Sequence, residues 1–181
     1  TKQDLLCFLI DIDHFKRIND EYGHLAGDQV LVQFTQVLKT LFRSTDLLVR
    51  WGGEEFLIIC RQADRRELTD LANRLIEAVR QKRFVVANGE VIPLTCSVGF
   101  SALPLLPERS AAFSWEQTFS LTDYCLYAAK ISQRDCWVGV ENATGAFHPT
   151  DELTPLAHRF GISGTNVKTS LNNLASIYWP D

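Results

Sequence analysis

The sequence predicts an α+β fold in which a mixed, mostly antiparallel sheet carries helices on its faces, on the split βαβ, ferredoxin-like plan. Three observations predict it: short apolar runs bounded by turn residues, two hairpin signals with a helical stretch between them, and 3–4 periodicity in the intervening segments. The 181 residues suffice for one domain with an appendage. At 46% hydrophobic and 22% charged, the composition excludes extensive disorder and a fibrous repeat.

Each element has a local reason. Residues 5–10 form an unbroken apolar run ending at Asp11, the pattern of a central strand buried on both faces. A helix is expected from about Phe15 to Tyr22; the tract Gly23-His24-Leu25-Ala26-Gly27 breaks it and Asp28 opens a second helix. There Val30, Leu31, Phe34, Val37, Leu38 and Leu41 make one apolar face. Apolar runs over 46–51 and 56–60 flank Gly52-Gly53-Glu54-Glu55, a hairpin signal. A helix over 64–82 carries Leu68, Leu71, Ala72, Leu75, Ile76 and Val79 on one side. Residues 83–87 and 90–102 are expected to pair around Asn88-Gly89 in a type I′ turn. A loop over 103–114, a helix over 116–132 and a strand over 136–140 complete the order β-α-α-β-β-α-β-β-α-β, closed by about residue 141. Residues 142–181 are rich in Gly, Thr, Ser and Asn and match no motif; short helices are expected over 152–160 and 165–178.

Charge and cysteine usage exclude further classes. Eighteen basic against twenty-two acidic side chains, net −4, leave no general basic face for coating nucleic acid. No run approaches the roughly 18 apolar residues of a membrane helix, and the N-terminal LLCFLI lacks the flanks of a signal peptide. Five cysteines without a CxxC pair read as buried thiols of a reducing compartment. The cytoplasm is therefore expected, whether for a free protein or for the cytoplasmic part of a membrane-anchored receptor. The absence of methionine and the start at Thr1 read as a fragment.

Two tracts place carboxylates where a fold rarely wants them. Asp11-Ile12-Asp13 closes a buried strand, with Asp11 and Asp13 on one face. Glu54-Glu55 lies in a Gly-Gly turn between apolar strands. If that hairpin pairs beside the first strand, Asp11 and Glu54 meet at the sheet end and repel unless a proton or hard cation separates them. Such oxygen ligands suit Mg²⁺ bound together with substrate phosphates. Each tract alone also has an ordinary reading, a helix cap for the Asp and a turn for Gly-Gly-Glu. Asn19 offers an amide and Asp28 a carboxylate, a pair able to read the N1–H and N2–H₂ edge of guanine, and Lys16 brings positive charge near Asp13. The plain alternative for Asp28 is a helix N-cap.

DIDHFKRINDEYGHLAGDQVL, WGGEEF, and TDYCLYAAK followed by Arg134 resemble, in order and spacing over about residues 4–141, the GGDEF family of diguanylate cyclases in its GGEEF version. The resemblance implies a nucleotidyl cyclase palm with a central five-stranded sheet and an extra hairpin. It implies condensation of two GTP into cyclic di-GMP and two pyrophosphates, with Mg²⁺ or Mn²⁺ as cofactor. Asp11, Glu54 and the carbonyl of Ile12 correspond to the metal ligands. Asn19 and Asp28 correspond to the guanine readers, with His24 in the adjoining tract. Phe15 and Lys16 correspond to phosphate-proximal positions, and Lys130 and Arg134 to the pair that grips the β- and γ-phosphates. Glu54 is the candidate proton acceptor, Lys16 a stabiliser of developing charge, and Glu55 an aid to metal or water positioning. Arg43-Ser44-Thr45-Asp46 resembles the family's RxxD product-inhibition site, with Arg74 completing it.

Residues 1–60 hold nine acids and six bases, so a triphosphate site there needs divalent cations. The sequence departs from the family in three places, the mildest being Thr122-Asp123 where the family usually has Ala-Asp. Gln133-Arg134-Asp135 replaces Gly-Arg-Asn, which alters the turn that aims Arg134 and adds negative charge near the triphosphate. The helix and Asn-Arg-Arg stretch that usually precede the first strand lie outside the sequence, and an upstream sensory domain with them. The expected enzyme acts as a transient homodimer, one GTP per protomer. The rival readings are a cyclic di-GMP receptor of the same fold and an ATP-using cyclase, the latter disfavoured by Asn19 with Asp28.

Overall fold

The computed structural model describes residues 4–107, 113–143, 145–146, 155–160 and 162–180. Its strands are β1 (Asp4–Ile12), β2 (Leu47–Arg50), β3 (Glu55–Ala63), β4 (Phe84–Val85), β5 (Val91–Ile92), β6 (Cys96–Leu103), β7 (Trp137–Val140), β8 (Gly145–Ala146), β9 (Ile162–Ser163) and β10 (Val167–Thr169). The helices are α1 (Phe15–Tyr22), α2 (His24–Leu41), α3 (Leu68–Gln81), α4 (Trp115–Ser132) and α5 (Pro155–Phe160).

The apolar run of β1 places it at the centre of a sheet ordered β10-β7-β6-β1-β3-β2, in which only β6 and β7 run parallel. Alternation divides its side chains between two layers. Leu6, Phe8, Ile10 and Ile12 join a core with α2 and α3, while Cys7 and Leu9 meet Leu126 of α4 on the other face. Phe8, Phe34, Phe56, Phe84 and Phe100 are all fully buried packing residues, each stabilising the fold by about 2–3 kcal/mol. Helix α4 lies almost against the sheet because β6 presents Gly99: a Cβ there would come within 2.3 Å of the Thr122 carbonyl and the Leu126 amide. Its start is defined by a capping box between Ser114 and Gln117. All five cysteines are free and buried, and burial pushes the thiols of Cys7 and Cys136 up to about 11 and about 12.

The edges of the fold differ from the sequence expectation in four places. Helix α2 begins at His24, four residues before Asp28, because Gly23 alone breaks the chain, at φ +85°. Asp28 is therefore not an N-cap. The Asn88-Gly89 hairpin is not type I′, which needs positive φ at both residues; only Gly89 has it, at +84°, closing a three-residue loop through Gly89 N to Val86 O. The long second strand of that hairpin is interrupted at Pro93, so β4–β5 form a separate two-stranded sheet and β6 alone enters the main one. Among the described residues the sheet has six strands rather than five. The sixth, β10, comes from the segment beyond residue 141 and pairs antiparallel with β7, Lys168 opposite Gly139.

Residues 165–178 are therefore a strand and a short 3-10 turn instead of a helix, while α5 lies within the expected 152–160, whose residues 152–154 fall outside the described set. Leu156, Leu171 and Ile177 bury against α4, and Trp179 stacks on Tyr124 with ring centroids 5.5 Å apart. Arg65 ties the same end of the domain together. It forks onto both carboxylate oxygens of Asp4, at 2.6 and 2.8 Å, and donates to the carbonyls of Pro104 and Glu141, so this largely buried pair is fully hydrogen-bonded.

Candidate active site

The antiparallel pairing of β1 with β3 sets Asp11 opposite Glu55, and the Ile12 amide donates to the Glu54 carbonyl at 3.3 Å. The carboxylates of the two tracts thus converge on one end of the sheet. The turn that carries Glu54 is closed by the Trp51 and Gly52 amides on the Glu55 carbonyl and by Arg50 Nε on the Gly53 carbonyl at 2.9 Å. Asp11 is 5% exposed, and Lys130 Nζ from the last turn of α4 donates to its Oδ2 at 2.9 Å. Burial raises the Asp11 carboxyl above the usual carboxylate range; Lys130 opposes the rise, and the charges of Glu54 and Glu55 add to it.

The donor set fits a hard divalent cation. Asp11 already holds one cation, the Lys130 ammonium, and Glu54 and Glu55 add negative charge at the same end. Among the described residues no three His, Cys, Asp or Glu side chains form a ready cage. Two carboxylates with a main-chain carbonyl are what a cation needs when it arrives with substrate phosphates.

Asp13, on the same face as Asp11, is spent on structure. Its carboxylate accepts from Thr95 Oγ1 and Ser97 Oγ, each at 2.7 Å, and from the Asp135 amide at 3.0 Å. Immediately after it, His14 at φ +56° turns the chain into α1, whose start has no side-chain cap and no acid in its first turn. The amides of Phe15 and Lys16 are thereby available to an anion. The Phe15 ring itself is buried, 6% exposed, so any contact of this residue with phosphate is through its backbone; Lys16 is exposed.

Asn19 in α1 and Asp28 in α2 lie on either side of the Gly23 break. Asn19 is half-buried, Asp28 and His24 are exposed, and none of the three makes a side-chain hydrogen bond to the described residues. Gly27 sets the distance between the helices, since a Cβ there would lie 2.0 Å from Asn19 Oδ1 and 3.3 Å from the Phe15 ring. Arg134 follows α4 in a left-handed conformation at φ +60°, and Asp135 does the same at +47°.

The second constellation lies at the far end of β3, roughly 25 Å away along the strand. A cleft of about 420 Å³ brings together Arg43, Asp46 and Arg74, with Cys60, Glu67 and Asp70. Asp46 Oδ2 accepts from the Arg43 amide at 2.8 Å, and its other oxygen is buried beside the Cys60 thiol. Arg43 pairs with Glu67 at 3.8 Å and Arg74 with Asp70 at 3.7 Å, both exposed. Three residues of these sites were missed from sequence: Arg50, Asp13 as a brace, and Arg80, which binds Asp135. Their partners lie at turns or far along the chain, where no spacing signals them.

A carboxylate-bearing hairpin set against the central strand of a mixed sheet, with an uncapped helix start beside it, defines the class of cyclase-type palm domains. The chain belongs to the GGDEF family: the family model described as diguanylate cyclase, GGDEF domain, matches residues 1–136. It is 40% identical over 132 residues to the diguanylate cyclase DgcP of Pseudomonas aeruginosa, covering 73% of this chain and 19% of that protein. It is 35% identical over 130 residues to DosC of Escherichia coli, covering 72% and 27%. The chain thus spans about a fifth to a quarter of these relatives' length. Among solved structures, the active GGEEF domain of a Vibrio cholerae diguanylate cyclase superposes with a TM-score of 0.64 at 28% identity, covering 74% of this chain and 80% of that one. The GGDEF domain of DgcB from Caulobacter crescentus, solved with c-di-GMP, gives 0.62 at 28% identity, covering 74% and 75%. Among the described residues no helix is long and apolar enough to cross a membrane.

Gly27→Ala should separate fold from site. The helix gains about 1 kcal/mol of propensity from the alanine, whereas the new methyl evicts the flexible Asn19 amide. Thermal unfolding should therefore move little, while guanine-nucleotide affinity measured by calorimetry falls about tenfold, the value of one hydrogen bond. Unchanged affinity would contradict this role for Gly27.

Proposed function

We propose that this domain is a diguanylate cyclase that joins two GTP molecules into cyclic di-GMP, each protomer of a transient homodimer presenting one GTP. The observation that carries the proposal is the convergence of Asp11, Glu54 and Glu55 at one sheet end beside Lys130 and the uncapped start of α1. Asn19 and Asp28 hold the guanine edge, as amide and carboxylate partners of its donors and acceptors. The amides of Phe15 and Lys16, with Lys130 and Arg134, hold the phosphates. Lys130 then exchanges the Asp11 carboxylate for phosphate oxygens.

Asp11, the Ile12 carbonyl and Glu54 would hold Mg²⁺ or Mn²⁺, which when bound lowers the pKa of the attacking hydroxyl and offsets charge on the α-phosphate. The 3′-oxygen of one GTP bonds to the α-phosphorus of the other, and the bond from that phosphorus to the bridging oxygen breaks, releasing pyrophosphate. Glu54 accepts the hydroxyl proton, Glu55 orients water or metal, and Lys16 stabilises the charge developing on the phosphoryl oxygens. The same step repeated with the roles exchanged closes the ring and releases the second pyrophosphate.

Cyclic di-GMP is proposed to bind at Arg43, Asp46 and Arg74 and to inhibit its own synthesis. Arginine stacks on guanine and forks onto phosphate, and the Asp carboxylate accepts from the guanine edge.

Incubation with GTP or ATP and Mg²⁺, followed by chromatography, tests the reaction. GTP should yield cyclic di-GMP, ATP should yield no cyclic product, and both excess chelator and Glu54→Gln should lower turnover by at least about a hundredfold. Tight cyclic di-GMP binding without turnover would instead favour a receptor. Product inhibition makes a separate expectation. Arg43→Ala should raise the inhibitory concentration of cyclic di-GMP about tenfold or more; equal inhibition of wild type and variant would remove the RxxD assignment.

A further inference from the structure

Two consecutive non-glycine residues in the left-handed region, Arg134 and Asp135, need outside support to stay there. The support comes from three elements. The Asp135 amide donates to Asp13 Oδ2 at 3.0 Å, and Thr95 and Ser97 in turn orient that carboxylate at 2.7 Å each. The Arg134 amide donates to the Ala129 carbonyl at 3.1 Å, continuing from α4. From the opposite side comes Arg80 of α3. Its Nε lies 2.9 and 3.0 Å from the two Asp135 carboxylate oxygens, and its Nη2 donates to the Asp135 carbonyl at 2.9 Å.

We propose that Arg80 is a positioning residue for the phosphate grip: by holding the side chain and the carbonyl of Asp135, it fixes the left-handed turn that aims Arg134. This rests on the reading of Arg134 as a phosphate ligand. It turns Asp135 from a liability into a strut. Its negative charge is engaged by Arg80 rather than directed at the triphosphate. A single exposed ion pair contributes little, but this one is a fork that also captures a main-chain carbonyl, so it restrains the backbone and not merely two side chains. Helix α3 is tied to the chain just past the turn as well, through Trp137 Nε1 on Asn73 Oδ1 at 2.9 Å. Among the described residues, the one other charge facing Arg80 is Glu77, at 4.0 Å, and Gln81 donates to the Glu77 carboxylate at 2.6 Å.

The test compares the dissociation constant of a non-hydrolysable GTP analogue with Mg²⁺, and KM against kcat for GTP, across the wild type and five variants. Arg80→Ala should weaken analogue binding and raise KM about tenfold, with kcat changed less than about threefold. Asp135→Asn, which keeps the carbonyl contact, should produce a smaller change of the same kind and serves if Arg80→Ala fails to fold. Arg134→Ala should weaken binding at least as much, and Arg80→Ala with Arg134→Ala should be no worse than Arg134→Ala alone, because Arg80 acts through Arg134. Glu77→Gln, which touches Arg80 but not the turn, should bind as wild type. Unaltered binding in both Arg80→Ala and Asp135→Asn, or additive losses in the double variant, would overturn the proposal while leaving Arg134 as a ligand. Wild-type binding by Arg134→Ala would overturn the phosphate reading itself, and the positioning role with it.

Discussion

The antiparallel register of β1 on β3 is the constraint on which the site depends. With Asp11 opposite Glu55, the end of the most buried strand meets the Gly-Gly turn, and carboxylates gather where neither strand would place them alone. A slip of one residue would turn Asp11 into the layer occupied by Ile10 and Ile12, where a charge has no partner. The hydrophobic alternation of β1, which exists to build two cores, therefore also determines which side of the sheet bears the acids. Mutual repulsion there is answered by Lys130 from α4, which Gly99 allows to lie close to the sheet.

The surrounding elements act as braces for this corner. Asp13 uses its carboxylate to join the end of β1, the start of β6 and the turn after α4, so the two segments that carry the proposed ligands Asp11 and Arg134 are braced together against β6. Arg80 extends that hub to α3, the helix that also bears Arg74 in the distant arginine cleft. At the opposite end, Arg65 and the aromatic contacts of Tyr124 with Trp179 attach the segment beyond residue 141 to the sheet and to α4. The segment covers the β7 edge and makes the short strand β10 the edge of the sheet on that side.

Much of the fold and nearly all the carboxylates were legible in sequence because their signals are local. The apolar run of β1, the Gly-Gly turn and the periodic faces of α2 and α3 each announce themselves within a dozen residues. The misreadings share a cause. Gly27-Asp28 imitates a helix start, yet Gly27 is needed for its lack of a Cβ beside Asn19, and Gly23 alone makes the break. Asn88-Gly89 imitates a two-residue turn, but the hairpin closes one residue wider. The strand at 167–169 has little apolar content and exists because β7 offers an edge. Arg80 and Asp135, 55 residues apart, meet only in the folded chain, so Asp135 read from sequence as an unwanted charge.

On the proposed function, Asp11 and Glu54 together hold a divalent cation that arrives with the nucleotide. Electron paramagnetic resonance of Mn²⁺ in the presence of a non-hydrolysable GTP analogue measures it directly, without requiring turnover. The account predicts a protein-bound Mn²⁺ signal in the wild type that is lost in Asp11→Asn and in Glu54→Gln, with both variants folded. A bound signal of undiminished strength in both variants would contradict it.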